Sequence, residues 1–410
     1  MKVLIVSQYF WPESFRINEL VQSLKKQNVE VDVLTGQPNY PEGAVFPGYK
    51  AWSCGQEDWS ETKIYRVPLF PRGSKSAIKL ALNYLSFVIS GLLFAPWLLR
   101  KNKYDVIFVY APSPILQAIP AIFLGWLKKC GVIVWVQDLW PESLSATGYV
   151  RNARILGLVE KLVRFIYRHT DLLLVQSEAF VAKVATLAPG KRIEYYPNSV
   201  DGSFANPTDM ALPDIAGLHE GFPIVFAGNI GAGQAVEVIV ETASLLREYT
   251  DIRFIVVGQG SRRDWMADAA QERGLLNLYL PGRYPLEMMP ALMQKAAALL
   301  VTLADEPIFE ATIPSKVQAY MAAGKPILAC LNGEGARLIE KSAAGLTCPA
   351  EDAQGLADSI LKLYQMTNAE RAQMGASGRL YFKEHFDQDM LTEQLIGHFR
   401  VVSESGEGRQ

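Results

Sequence analysis

Cysteine and histidine are scarce in this chain of 410 residues, and their scarcity limits the chemistry available to it. Its four cysteines, Cys54, Cys130, Cys330 and Cys348, form no CxxC pair and have no histidine neighbours. The pattern therefore indicates neither a zinc site nor a disulfide framework, and it suits a reducing compartment. The four histidines lie away from the loops predicted to end strands, so none is placed as a general base.

The common nucleotide-binding fingerprints are also missing. GNIGAGQ (228–234) and GQGSRR (258–263) follow predicted strands, but neither is GxGxxG, and no GxxxxGK[ST] motif occurs. A dinucleotide- or ATP-dependent enzyme is therefore disfavoured. DQD (387–389) looks like a metal-binding DxD motif, yet it opens a predicted helix, where acidic residues are expected. We therefore expect no metal and no resident cofactor.

Charge is absent from one long segment and unevenly divided elsewhere. Residues 1–200 carry a net charge of +8 and residues 201–410 a net charge of -10. The uncharged segment 80–99 has basic residues on both sides and is long enough to span a membrane, but Asn83, Ser90 and Pro96 dilute it. We favour a helix, or a broken helix pair, lying on a membrane surface. A buried core helix and a true span remain open alternatives.

The remaining sequence alternates short apolar strands with helical segments, which predicts an α/β protein with parallel sheets buried on both faces. A Pro-, Asn- and Asp-rich stretch at 195–209 reads as a linker between two such halves. We predict two Rossmann-like domains facing across a cleft, at 1–200 and 201–380, and a terminal helix at 381–402 that could pack back on the first. The predicted strands are 2–7, 29–36, 105–111, 132–138 and 171–177 in the first half, and 222–229, 251–260, 277–282, 297–304 and 325–331 in the second.

The stretch ATIPSKVQAYMAAGKP (311–326) predicts a helix from Ser315 to Ala323. Pro314 suits the first helical position, and Gly324 followed by a proline suits the end. The unpaired amides at the start of the helix, together with Ser315 and Lys316, would form an anion site, most plausibly for phosphate. An ordinary capped helix with a solvated lysine explains the stretch about equally well.

Other loops are expected at the same carboxyl edge of the second sheet, where open α/β sheets bind ligands. The loop after Asn229 offers Gly231 and Gln234, and the next offers Gly260. The glycines would let backbone amides approach a ligand closely, although a tight turn would also need them.

In the first domain, Asp138 follows a predicted strand, and its carboxylate could accept a hydrogen bond from a sugar or a proton from a nucleophile. Capping a helix or turn is the alternative role. The loop 8–16 brings Glu13 and Arg16 to the same edge, and Arg16 could bind an anionic group or remain solvated.

With these residues in view, the chain resembles the family 4 glycosyltransferases, which have the GT-B fold. The motifs that carry the resemblance extend along nearly the whole chain. They are YFWPES, DLWPES, PNSVD, FAGNIG, VVGQG, LPGRYP and PSKVQAYMAAGKP. The stretch TGQPNYPEGAVFPGYK (35–50), which contains Asn39, is most similar to an O-antigen and capsule subgroup that includes fucosaminyltransferase-like enzymes.

The resemblance implies a retaining glycosyltransferase that needs no metal and moves a sugar from a nucleotide diphosphate to a lipid-linked saccharide. UDP is the favoured nucleotide, and an N-acetylated deoxysugar is one option for the sugar. It implies a cytoplasmic enzyme, peripheral on the inner face of the membrane, that builds bacterial surface polysaccharide and binds no nucleic acid. By position, Asp138, Glu310 and Lys316 would be catalytic and Glu13, Arg16 and Asn39 would bind the acceptor. The donor would meet Asn229, Gly231, Gln234, Gly260, Arg283, Pro314, Ser315 and Lys316.

Two departures from the family pattern affect these expectations. The family's two glutamates would fall at Ala311 and Ala319, and Glu310 is one residue away from the first position. The family's Arg and Lys phosphate pair has no counterpart in GNIGAGQAVE, so Lys316 would have to supply that charge. A non-catalytic nucleotide-sugar-binding subunit and a nucleotide-sugar epimerase are therefore the alternative functions.

Overall fold

The structure, a computed structural model, divides the chain into two compact units. One contains Met1–Pro197 and the terminal stretch from Asp389, and the other contains Asn198–Gln388. Within the predicted linker, position 201 and positions 207–209 lie outside the described residues, as does Lys75 in the basic flank of segment 80–99. The described residues are 1–73, 76–146, 152–200, 202–206 and 210–407.

The first unit is built on an eight-stranded sheet in the order β3-β4-β2-β1-β5-β6-β7-β8, parallel throughout except for the antiparallel pair β3 and β4. All five predicted strands are present, and β3, β4 and β8 were not predicted. The polar sequence GQEDW of β3 and the three-residue length of β8 explain why apolar runs did not reveal them. The strands are β1 (Lys2–Val6), β2 (Glu30–Thr35), β3 (Gly55–Trp59), β4 (Thr62–Arg66), β5 (Val106–Ala111), β6 (Gly131–Val136), β7 (Leu172–Val175) and β8 (Ile193–Tyr195).

Helices connect these strands. The uncharged segment forms a single helix rather than a broken pair, since Pro96 lies in the last turn, and Ser76 caps its start by accepting a hydrogen bond from the Lys79 amide at 3.3 Å. The helices are α1 (Arg16–Lys26), α2 (Ala77–Leu98), α3 (Ala118–Lys128), α4 (Glu142–Ala146), α5 (Ala153–Arg168) and α6 (Glu178–Leu187). Among the described residues α2 alone has the length and composition to cross a membrane, and 28% of its most apolar window is buried.

The second unit has a six-stranded sheet in the order β11-β10-β9-β12-β13-β14, with parallel pairing throughout. Successive residues of β9, such as Val225 and Phe226, belong alternately to two apolar cores, one on each face of the sheet. The short strand β14 was not predicted. The strands are β9 (Phe222–Ala227), β10 (Ile252–Val257), β11 (Leu278–Gly282), β12 (Ala298–Thr302), β13 (Ile327–Cys330) and β14 (Gly345–Cys348).

Helices cover both faces of this sheet. The helix that follows the loop after β9 begins at Val236, because a short 3-10 turn, Ala232–Gln234, and a left-handed Ala235 with φ of 45° precede it. The helices are α7 (Val236–Leu245), α8 (Arg263–Glu272), α9 (Met289–Lys295), α10 (Pro307–Glu310), α11 (Ser315–Ala323), α12 (Glu334–Lys341), α13 (Ala353–Gln365) and α14 (Asn368–His385).

The last helix, α15 (Gln388–Glu407), starts later than the predicted 381–402, because residues 381–385 complete α14. Its apolar side chains, among them Leu391, Leu395 and Phe399, are buried in the core of the first unit. The Tyr196 hydroxyl also donates a hydrogen bond to the Leu391 carbonyl at 3.0 Å. The first unit is therefore assembled from two separate stretches of the chain.

Candidate functional site

A cavity of about 610 Å³ opens at the carboxyl edge of the second unit's sheet. The loops after β9, β10 and β11 meet there with the first residues of α11 and one face of α9, as expected for ligand sites of open α/β sheets. The lining combines backbone and polar groups with apolar side chains. The lining residues are Phe204, Ala227, Gly228, Asn229, Gln234, Val257, Gly258, Gln259, Arg283, Tyr284, Leu286, Met289, Met293, Ser315, Lys316, Ala319 and Tyr320.

Helix α11 has the predicted bounds, and its start faces this cavity. Pro314 is the N-cap residue, one position earlier than predicted, with φ of -60° and ψ of 132°, and no side chain caps the helix start. Gly324 ends the helix in the left-handed conformation, with φ of 68°. Because Ser315 and Lys316 both line the cavity, the positive end of the helix dipole is directed at it.

Lys316 is held by neutral groups. Its ammonium lies 3.8 Å from the centre of the Phe226 ring and donates a hydrogen bond to the Gln234 side-chain oxygen. Burial lowers the pKa of Lys316 to about 7. Among the described residues no carboxylate pairs with this cation, so an anionic ligand would supply the missing counter-charge.

Glycine allows Lys316 to reach this position. A Cβ atom on Gly228, whose φ is 148°, would lie 2.7 Å from the Lys316 Cε atom. A Cβ on Gly258 would collide with the Gly228 carbonyl. The two strand-end loops are therefore packed backbone against backbone beneath the lysine stem, a role that the sequence analysis did not assign to either glycine.

The structure brings together five residues predicted for the donor site, Asn229, Gln234, Arg283, Ser315 and Lys316. The other three do not line the cavity but belong to its supporting loops. Gly260 packs so closely on the Ile230 backbone that a Cβ would collide with it, Gly231 precedes the 3-10 turn, and Pro314 caps α11.

Glu310 is placed differently from the prediction. It is exposed at the end of the four-residue helix α10 and does not line the cavity. Its backbone packs against Gly333, where a Cβ would collide with the Glu310 carbonyl. We therefore expect no contact between the Glu310 carboxylate and a ligand bound in this cavity.

The sequence did not reveal the apolar wall of the cavity, which includes Phe204, Tyr284, Met289 and Met293. Met289 and Met293 lie one helical turn apart on α9, and Phe204 comes from a short 3-10 turn before the first strand of the unit. Nothing in their local sequence separates them from ordinary core residues, because only the fold brings them to one surface.

In the first unit, Asp138 follows β6 at the carboxyl edge and is partly buried. Burial raises the pKa of Asp138 to about 7, which is typical of functional carboxylates that lack a compensating charge. Tyr110, at the end of the neighbouring β5, lies close to both Asp138 and Arg16. Burial raises the pKa of Tyr110 to about 12. The charge of Arg16 opposes this rise, and the charge of Asp138 adds to it. The structure thus brings Asp138 and Arg16 to the same part of the carboxyl edge of the first unit's sheet.

Glu13 and Asn39 have structural contacts that the sequence did not reveal. Glu13 is 2% exposed, and its carboxylate accepts hydrogen bonds from the amides of Asn39 at 2.7 Å, Tyr40 at 2.6 Å and Phe10 at 3.2 Å. Burial raises the pKa of Glu13 to about 7, although these hydrogen bonds act against the rise. Asn39 is fully buried, and its side-chain oxygen accepts a hydrogen bond from the Arg72 amide at 3.0 Å. Both side chains therefore hold loops together, and neither is available to an acceptor.

Within the described parts of the chain, no group of three or more His, Cys, Asp or Glu side chains is arranged to hold a metal ion. In the DQD segment, Asp389 accepts a long hydrogen bond of 3.5 Å from the Ser23 hydroxyl. That contact belongs to the packing of α15 on the first unit.

Two family models match the chain. A "Glycosyl transferase 4-like domain" matches residues 14–199, and "Glycosyl transferases group 1" matches residues 221–366. The matched stretches fall in the two structural units and together cover about four fifths of the chain.

Two curated relatives match over most of their length. The putative colanic acid biosynthesis glycosyl transferase WcaI of Escherichia coli (strain K12) is 26% identical over 344 residues, covering 79% of this chain and 82% of WcaI. The probable glycosyltransferase WbjE of Pseudomonas aeruginosa is 26% identical over 353 residues, covering 82% of this chain and 84% of WbjE.

Solved structures share the whole fold at low identity. Sucrose-phosphate synthase from Thermosynechococcus elongatus gives a TM-score of 0.74 at 16% identity and covers 98% of this chain and 99% of its own. Anabaena HepE in complex with UDP gives a TM-score of 0.69 at 13% identity and covers 98% of this chain and all of its own. These likenesses confirm the predicted GT-B fold of two Rossmann-like domains. The two family models together match most of the chain and show that it is an enzyme belonging to the family 4 glycosyltransferases.

Proposed function

We propose that this enzyme is a retaining glycosyltransferase of bacterial surface polysaccharide synthesis, of the O-antigen or capsule kind. In this proposal it transfers a sugar from a nucleotide diphosphate to a lipid-linked saccharide. The name of WcaI, a relative in colanic acid biosynthesis, supports the polysaccharide assignment. The glycosyltransferase family models favour transfer over the binding-subunit and epimerase alternatives.

The observation that carries the donor assignment is the position of Lys316. It offers a cation without a carboxylate partner, beside the start of α11, in a cavity large enough for a nucleotide. A diphosphate bound there would meet the Lys316 ammonium, the Ser315 hydroxyl and the backbone amides of the helix start. We assign this place to the donor diphosphate.

The apolar wall suits the nucleoside part of the donor. Tyr284 offers a flat aromatic surface and Met289 a polarisable thioether for a base, and the partly exposed Arg283 also lines the cavity with a guanidinium that can donate hydrogen bonds. HepE, which shares the fold, was solved with UDP, and this supports UDP as the nucleotide. The donor sugar that we propose to test first is an N-acetylated deoxysugar.

Transfer with retention can proceed without a protein base. An oxygen of the departing diphosphate can take the acceptor's proton on the face of the sugar that it leaves, so the enzyme has to stabilise charge on the leaving group. Lys316 and the amides at the start of α11 are placed for that task. Asp138, at the edge of the first unit, would orient a sugar hydroxyl. We propose that neither a metal nor another cofactor takes part.

We propose that α2 lies on the inner face of the cytoplasmic membrane. One side of this helix is bonded into the first unit: Asn83 donates to the Phe70 carbonyl at 2.6 Å and Ser90 to the Pro68 carbonyl at 2.6 Å. Such bonds would be lost in a span, whereas a helix with one apolar exposed side suits the interface. The exposed side carries Ile78, Leu82, Leu85, Ile89 and Leu93, and Phe94 and Trp97 are also exposed near the end of the helix.

Donor binding can be tested by measuring the melting temperature of the purified chain with UDP-, GDP- and dTDP-sugars. A ligand that binds only the folded state raises the melting temperature. We expect stabilisation by UDP-sugars and less by the others. If no nucleotide sugar stabilises the protein, the assignment of the cavity to a donor is wrong.

A further inference from the structure

A second cavity, of about 510 Å³, lies in the first unit between the C-terminal ends of α3 and α5. Ile122 and Trp126 of α3 line one side, Arg168 and His169 line another, and Lys191 closes it from the segment before β8. The floor is formed where β6 and β7 begin. The cavity is therefore at the amino edge of the sheet.

The cavity is separate from the region of Asp138. Asp138 follows the carboxyl end of β6, whereas Val132, which lines the second cavity, is at its amino end. A six-residue strand separates the two places by roughly 20 Å. A ligand here would not be the reacting part of an acceptor bound near Asp138.

The charges that line the cavity are mainly positive. Lys129, Arg168 and Lys191 contribute cations, and the carboxylate in the described lining is that of Asp171, which already accepts a hydrogen bond from the Val132 amide at 2.8 Å. Lys191 uses one of its donors on the Thr170 carbonyl at 2.8 Å, so two remain for a ligand.

Two neighbouring lysines at the end of α3 have different surroundings. The Lys128 ammonium is committed to carbonyls just after α2, since it donates to Leu99 at 2.6 Å and to Asn102 at 2.9 Å. Lys129 is the next residue, has left-handed backbone geometry with φ of 55°, and lines the cavity. The charge of Lys129, and not that of Lys128, is therefore at the cavity.

Large apolar side chains surround the same opening. Trp126 is 75% exposed, and Leu127 and Phe165 are also exposed at the ends of α3 and α5. Helix α3 packs against α2, which carries the exposed apolar face described above. A tryptophan next to lysines is typical of a surface that meets lipid at the level of the headgroups.

We propose that this cavity binds the headgroup of an anionic membrane phospholipid, with Lys129, Arg168 and Lys191 around the phosphate and Trp126 in the interface. The inference rests on the proposed membrane attachment of α2 and adds to it a chemical preference for lipid. The positive lining selects an anionic ligand, and the exposed aromatic rim selects a ligand embedded in a membrane over a soluble one.

The test compares binding of the full chain to vesicles of phosphatidylcholine with binding to vesicles that also contain phosphatidylglycerol, by co-sedimentation. The site variant is Lys129→Gln/Lys191→Gln. The control is Lys26→Gln/Lys63→Gln, which removes the same charge from exposed positions of the same unit outside this cavity. Melting temperatures establish that both variants are folded.

We expect the unmodified chain to prefer the anionic vesicles, and the site variant to lose about 10- to 30-fold in affinity for them, at about 1 kcal/mol for each lysine near the surface. The control should lose no more than about a factor of two, because its lysines do not line the cavity and salt screens charges that are not in contact with the lipid. Inorganic phosphate at equal ionic strength should not compete appreciably.

Other outcomes distinguish the headgroup site from the membrane attachment of α2. Equal binding of the unmodified chain to both kinds of vesicle would overturn the headgroup site and leave membrane attachment standing. Binding to neither kind would overturn membrane attachment, and the headgroup site with it. Equal losses in the site and control variants would show that diffuse charge, and no particular cavity, attracts the membrane.

Discussion

At the scale of single residues, the arrangement around Lys316 joins sequence to chemistry. Its position at a helix start follows from the sequence, but its contacts with Phe226 and Gln234 follow from the fold. Neutral partners and burial leave the ammonium easy to deprotonate and without a counter-charge. An anionic ligand would therefore gain more from Lys316 than from a lysine already paired with a carboxylate.

Replacing this lysine should weaken donor binding. Lys316→Ala removes a charge-assisted hydrogen bond, worth about 1.5–3 kcal/mol, so we expect affinity for the nucleotide sugar to fall by about 10- to 100-fold in calorimetry. Lys341→Ala, which removes an exposed lysine of the same unit, is the matched control and should bind normally. Unchanged affinity in Lys316→Ala would refute the diphosphate assignment.

Donor affinity should also depend on pH. The free enzyme's Lys316 has a pKa of about 7, and a bound diphosphate would raise that pKa because it favours the charged ammonium. Binding is then strongest below about pH 7 and falls by up to about tenfold per unit as pH rises from the free to the bound pKa. Lys316→Arg stays charged and should show no such fall between about pH 6 and 9. The comparison requires affinities of an intact nucleotide sugar, whose diphosphate remains ionised.

Glu13 should matter for stability. Glu13→Ala leaves three buried amides without their acceptor, so we expect a loss of about 2–4 kcal/mol in the free energy of unfolding of the first unit, measured by denaturant titration. Glu42→Ala, at an exposed position in the loop that Glu13 holds, should change it by less than about 0.5 kcal/mol. Equal effects of the two changes would contradict the structural role given to Glu13.

At the scale of elements, strand-end loops and helix starts form the cavity, and glycine sets their spacing. The bounds of α11 could be predicted residue for residue because its start and stop signals are local. The close approach of the loops after β9 and β10 could not be predicted from the sequence, since a glycine next to a strand gives no indication of what packs against it.

A methyl group on Gly228 should disturb the cation and also strain the backbone, whose φ of 148° favours glycine. Gly228→Ala would place its Cβ 2.7 Å from the Lys316 Cε atom, so we expect the donor KM to rise several-fold as the lysine moves. The control is Gly274→Ala, where φ is also positive but no atom lies within 4 Å of the added Cβ. That change should cost about 1–2 kcal/mol of stability and leave KM unaltered. Similar KM values for the two variants would argue against the crowding of Lys316.

At the scale of the whole molecule, apolar strand periodicity was sufficient to predict two parallel α/β sheets. It failed for β3, which is polar and at a sheet edge, and for the short strands β8 and β14. Residue types at a strand end and at a helix start located Asn229 and Lys316, respectively, at the cavity, whereas Phe204 and Met293 reach it only through tertiary packing. For Glu13 the sequence suggested the wrong role. Its position at a strand-end loop suggested acceptor binding, but its carboxylate accepts hydrogen bonds from three backbone amides and holds loops together.

The account as a whole depends on sugar transfer, and mass spectrometry can detect this directly. The purified chain would be incubated with a panel of UDP-, GDP- and dTDP-sugars and a short saccharide on a lipid diphosphate. We predict that the acceptor gains the mass of one glycosyl residue from a UDP-linked donor, and that NMR spectroscopy of the product shows the donor's anomeric configuration kept. Stable binding of a donor without transfer or hydrolysis across the panel, or a product of inverted configuration, would contradict the proposed reaction.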